Sequence, residues 1–275
     1  MLSLSNNQLA VQLLDPNDSA DKPRFGTRYC SGGYIFQIVD ARLGDLLSGP
    51  TFPASFNVFD GQGIPDAFNL TPLRSPEDGD AALIIGIGLC ELRNNTVTEH
   101  AAWAVTRSAD SIIFAVSQQH RDWRFDLTRH INLSGRTVRS STSLHNNGHA
   151  PVPVRWFPHP FYPQMENGAD NELIKLSIET HMPENPGYVL APSGFISRRS
   201  WPWKDGFYQA LDHAGTEKLI VQQKHPKLGL VTATCSYAPD FFPIWGNPRT
   251  FSWEPFLERT VAYGQTLDWS IDYDF

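Results

Sequence analysis

The last nine residues, LDWSIDYDF (267–275), alternate strictly: Leu267, Trp269, Ile271, Tyr273 and Phe275 are apolar, and Asp268, Ser270, Asp272 and Asp274 are polar. Side chains alternate between the two faces of a strand, so this period of two predicts a half-buried β-strand with an aromatic inner face and an acidic outer one. The same period recurs upstream. Ile174, Leu176 and Ile178 alternate with Lys175, Ser177 and Glu179, and Trp123, Phe125 and Leu127 alternate with Arg124 and Asp126. Further strands are expected over 34–39, 111–117, 136–144, 219–223 and 230–237. Turn formers separate them, among them Gly32-Gly33, Asp60-Gly61 and Asn185-Pro186-Gly187. Asn147-Gly148 predicts a hairpin turn, which needs residues at positive φ. No long amphipathic helix is apparent. The expectation is one all-β domain over 1–275, a large antiparallel β-sandwich.

Composition narrows the function classes. With 275 residues, 41% hydrophobic and 19% charged, the chain has ample material for a core. A formal charge of −7 and scattered Lys and Arg argue against nucleic acid or an anionic membrane as partner. Cys30, Cys90 and Cys235 form no CxxC pair and leave an odd count, against a disulfide framework or a thiolate zinc site. The N-terminus lacks a basic segment followed by an apolar run, and no stretch approaches 18 apolar residues. A cytoplasmic location is expected. The many aromatics, 17 Phe and 8 Trp, suit a strand-rich protein and, where exposed, the binding of a sugar or a peptide. Two irregular stretches, 48–80 and 181–207, are read as walls of a binding face.

Two titratable residues share an unusual setting. His159 lies in RWFPHPFYP (155–163) and Glu254 in IWGNPRTFSWEPF (244–256); each is followed by proline and flanked by aromatics. Proline fixes its own φ and biases the preceding residue toward extended backbone, so both side chains sit on stiff, non-helical segments. A lone histidine among aromatics is more often structural. A carboxylate in a matching setting 95 residues later makes the two a candidate acid/base pair. Other motifs lack their parts. Gly86-Ile87-Gly88 has no third glycine and reads as a close-packed strand, and His145 and His149 flank Asn-Asn-Gly, which excludes a helical zinc site.

These segments resemble the aldose 1-epimerase, or galactose mutarotase, family. SSTSLHNNGHAPVPVRWFPHPFYP is similar to the family segment that leads from a strand to the catalytic histidine. CSYAPDFFPIWGNPRTFSWEPF is similar to the one that leads to the catalytic glutamate and its proline. PRFGTRYCSGGYIFQI and AYGQTLDWSIDYDF resemble the N-terminal strand pair and the last strand. The resemblance implies a β supersandwich with the site in a groove across one sheet. It implies His159 as general acid and Glu254 as general base in ring opening of a sugar, with no cofactor and no metal. It departs from the family in two places: FDGQGIPDAFN has no histidine where an HLHGG-like loop is expected, and Tyr208 stands where a substrate-binding aspartate is usual. Arg28, Asp66, Tyr162, Asp205 and Trp245 are the expected substrate contacts, with Trp201 and Trp203 as further stacking platforms. The expected ligand is a small-molecule carbohydrate. Alternatives are a sugar-binding protein without turnover and an epimerase of a sugar phosphate, for which Arg28, Arg74 or Lys204 would have to converge.

Overall fold

The computed structural model describes residues 1–165, 171–199, 206–215 and 218–275. Its largest element is a ten-stranded antiparallel sheet. At its centre Thr266–Asp274 lies between Thr137–Asn146 and Gly229–Cys235, and Trp123–Ser134 and Ser111–His120 follow on one side. The predicted inner face of the last strand is real: Trp269, Ile271, Tyr273 and Phe275 are all buried, while Asp268 and Asp274 are exposed. Five more predicted strands form, extended or shifted by one to three residues: Ile35–Asp40, Ser111–His120, Thr137–Asn146, Ile220–His225 and Gly229–Cys235. The alternation read over 174–179 holds only in part, since the strand is Glu172–Leu176, with Leu173 and Ile174 both buried and Ile178 beyond its end.

Smaller antiparallel sheets form the opposing layer. A five-stranded one runs Tyr162–Pro163, Thr250–Trp253, Phe242–Gly246, Phe207–Ala214, Glu179–His181; a three-stranded one runs Leu257–Val261, Val152–Pro158, Asp66–Ala67. Large rings join the layers. Trp156 meets Trp269 edge-on at 5.3 Å, Trp253 lies 6.2 Å from Tyr273, and Phe68 meets Trp269 at 6.2 Å. Burying each such side chain contributes roughly 1.5–3 kcal/mol.

One charged pair crosses this core. Arg129 is fully buried on the inner face of the large sheet and binds the carboxylate of Asp66, which comes from the opposing layer. Its guanidinium also donates to Ser140 Oγ at 2.9 Å and to Thr142 Oγ1. Burial pushes Asp66 up to about 6 against the pull of Arg129.

Asn147-Gly148 is not a hairpin turn. The strand before it pairs with Trp123–Ser134 and Thr266–Asp274, and the strand after it belongs to the three-stranded sheet. Neither residue has positive φ. The glycine is required instead by close approach, since a Cβ there would lie 2.4 Å from the Arg124 amide nitrogen. Gly86-Ile87-Gly88 forms the tight connection between Ala81–Ile84 and Gly88–Glu91, with both glycines at positive φ. Among the described residues no helix is long and apolar enough to cross a membrane.

Candidate active site

The segment carrying His159 keeps its alternation beyond the end of Val152–Pro158. Arg155, Phe157, His159 and Phe161 all line one cavity of about 580 Å³. Trp156 and Tyr162, at alternate positions of the same segment, are buried in the sandwich core instead. Backbone bonds fix the segment: the amide of His159 donates to Pro65 O at 2.8 Å and that of Phe161 to Gly63 O at 2.7 Å.

Glu254 enters the cavity from the end of Thr250–Trp253, and Phe256 follows on the same side. Its amide donates to Pro243 O at 3.0 Å. The two segments bring Nε2 of His159 to 3.3 Å from Oε1 of Glu254. Both side chains are buried, His159 at 3% and Glu254 at 6% exposure. Ser252 Oγ lies 3.1 Å from the other imidazole nitrogen, Nδ1. Phe161 stacks on the imidazole at 4.4 Å, and Tyr29 and Trp245 meet it edge-on, each at 6.1 Å.

Burial dominates the electrostatics. Taking an ionisable group out of water disfavours its charged form. Glu254 is pushed up to about 7 by desolvation, with the Arg28 guanidinium opposing the rise. His159 is held well below the usual imidazole value, first by desolvation and then by Arg28. Both shifts favour the uncharged pair, with the proton on Glu254 and the imidazole neutral, and strongly shifted groups of this kind cluster at functional sites.

The walls are aromatic and come mainly from loops. Phe59 and Leu70 lie in the long connection 48–80, Phe241 precedes Phe242–Gly246, and Trp245 meets Phe59 edge-on at 6.4 Å. Asn69 and Tyr208 add polar groups. Arg155 pairs with Glu258 at 2.9 Å and lies over Phe256.

Of the expected substrate contacts, Arg28 and Trp245 line the cavity. Tyr162 does not. It follows Phe161 in an extended segment and points to the opposite face, where it packs against Trp253 and His225. Asp66 is also absent from the lining, because its carboxylate is turned inward to Arg129. Its strand still matters, since Ala67 pairs with both Tyr29 and Phe157 and so ties the segments bearing Arg28 and His159 together. Asp205, Trp201, Trp203 and Lys204 lie outside the described residues. Arg74 is not in the lining; its guanidinium reaches Gly79 O at 3.5 Å.

No protein-family model matches the chain, and no curated protein matches it by sequence. Solved structures do match. A galactose mutarotase related enzyme from Lactobacillus acidophilus aligns over 99% of this chain and 96% of its own, with a TM-score of 0.56 and 12% identity. A galactose mutarotase-like protein from Lactobacillus casei aligns over 100% and 99%, with a TM-score of 0.56 and 13% identity. The chain has the galactose mutarotase-like fold. A third protein, the aldose epimerase homologue from C. elegans, aligns over 99% and 97% with a TM-score of 0.53 and 11% identity. The mutarotase-like likeness is thus one of fold along nearly the whole chain, and the chemistry rests on this chain's own residues.

Proposed function

We propose that this protein is an aldose 1-epimerase-like isomerase that interconverts the α and β anomers of a sugar through Glu254 and His159. The observation that carries the reading is the 3.3 Å contact between Glu254 Oε1 and His159 Nε2 at the buried end of an aromatic-walled cavity. Structural neighbours named as mutarotase-related or aldose epimerase-like support it.

Opening a hemiacetal ring removes a proton from the anomeric hydroxyl and supplies one to the ring oxygen. Glu254, as carboxylate, takes the first; His159, as imidazolium, supplies the second from Nε2. The O1–H and C1–O5 bonds break while the C1=O and O5–H bonds form, leaving Glu254 protonated and His159 neutral. Rotation about C1–C2 presents the other face of the aldehyde, and closure reverses each transfer. The start and end states of the pair differ only in where one proton sits. The shifts of the two groups favour the uncharged state, with the proton on Glu254, so the carboxylate–imidazolium state that opens the ring is the less populated of the two. The ring walls exclude water and offer apolar faces to the sugar's C–H surfaces.

Anomeric exchange measured by NMR across a panel of sugars tests the reading. Exchange above background should occur for at least one of them and vanish in Glu254→Gln. Binding without exchange in the native chain would instead make this a sugar-binding protein.

A further inference from the structure

Arg28 lines the cavity together with His159 and Glu254. Its guanidinium lies over the rings of Tyr29, at 5.3 Å, and Phe59, at 5.9 Å. The Tyr29 ring in turn meets the imidazole of His159 edge-on at 6.1 Å, so a single ring separates guanidinium from imidazole. The polar engagement of Arg28 is slight. One terminal nitrogen donates to Val58 O at a long 3.5 Å, and Nε is buried with no hydrogen-bond partner. Among the described residues no carboxylate lies within ion-pair distance of it, whereas Arg155, the other guanidinium of the lining, is already paired with Glu258. Among the described residues Glu254 is the one carboxylate in the lining, and the proposed reaction uses it for proton transfer. Among the described residues the cavity therefore holds one uncompensated positive charge, set among aromatic rings and next to the reacting pair.

Such a charge selects an anion. A guanidinium presents two parallel N–H donors that match the two oxygens of a carboxylate, and the bond strengthens where water is displaced. The charge count separates carboxylate from phosphate. A phosphate monoester carries a charge of about −1.5 to −2 at neutral pH, and a carboxylate carries one. A single free guanidinium neutralises the latter. We propose that the substrate is a sugar acid, a pyranose bearing one carboxylate that Arg28 receives beside the reacting end of the ring. This inference rests on the anomerisation reading for the site and adds the class of substrate.

Calorimetric titration of the full chain with D-glucuronate and D-galacturonate, their parent hexoses and the hexose 6-phosphates tests it without requiring turnover. One uronate should bind at least roughly tenfold more tightly than its hexose. The advantage should disappear in Arg28→Gln and survive in part in Arg28→Lys, which keeps the charge but loses the fork. Equal or weaker binding of the uronates, tighter binding of a 6-phosphate, or a uronate preference that survives in Arg28→Gln would each overturn the proposal. Should Arg28→Gln fail to fold, the native comparison of uronate, hexose and 6-phosphate decides alone. Uronate binding without anomeric exchange would reject the isomerase reading and leave the assignment of Arg28 standing.

Discussion

Ser252 Oγ stands 3.1 Å from Nδ1 of His159, while Nε2 of the same ring faces Glu254 at 3.3 Å. Because His159 gives its proton from Nε2, Nδ1 keeps its hydrogen in the charged and in the neutral ring, and Ser252 Oγ can accept from it in both. Ser252 thus holds Nε2 toward the carboxylate through both states. Ser252→Ala should lower kcat roughly 10–100-fold, the worth of a hydrogen bond to a charged group, with KM little changed. The pH–rate profile should shift with it, which a loss of packing alone would not produce. Unchanged kcat would remove Ser252 from the mechanism.

The buried pair makes opposite contributions to stability across one pH window. Glu254 is raised from 4.5 to about 7, so between those values the folded chain keeps a proton that the unfolded chain has lost, and stability falls as pH rises. His159 is lowered below 6.5, so the folded chain sheds its proton first and stability rises with pH up to that value. Arg28 is the charge acting on both. Relative to the native protein, Glu254→Gln should gain stability from pH 4.5 to 7, and His159→Asn should lose it as pH approaches 6.5. Denaturant melts at intervals across this window would read both slopes, and parallel curves for all three proteins would contradict the assignment.

The Arg129–Asp66 pair should be costly to halve. Removing one partner leaves the other charge unsolvated in the core, which destabilises by about 3–5 kcal/mol. Asp66→Asn and Arg129→Met should each lower Tm sharply, while the double variant should be less destabilised than the sum of the two. Additivity in this cycle would show that the two side chains do not interact.

Gly206 occupies φ +98°, and a Cβ there would lie 2.6 Å from Trp245 Nε1. Gly206→Ala should displace Trp245, raising KM for the sugar several-fold and costing about 1 kcal/mol or more of stability through backbone strain. A shift in tryptophan fluorescence with unchanged KM would separate the ring's movement from binding.

Much of the frame was legible because strands write a period of two into the chain. The C-terminal alternation located both faces of the central strand, and the proline-flanked His159 and Glu254 did meet. The same period, carried through RWFPHPFYP, would have placed Arg155, Phe157 and Phe161 beside His159 and sent Tyr162 into the core. Carried through FSWEPF, it would have put Ser252 and Phe256 with Glu254. Asp66 misled for a different reason: its inward turn depends on Arg129, 63 residues away, and no local pattern marks a partner at that distance. Phe59, Asn69, Leu70 and Phe241 belong to loops, where no period fixes which way a side chain points. Asn147-Gly148 shows the same limit, since its composition is shared by hairpins and by chains leaving one sheet for another.

His159 follows a strand of the three-stranded sheet, and Glu254 follows a strand of the five-stranded one. The contact between them therefore closes a loop of more than ninety residues and joins two separately built sheets. Contacts of such sequence separation form late, after the loop-closure entropy has been met. During refolding, recovery of any activity from this pair should lag the return of strand signal, making turnover a clock for the final docking of the two sheets.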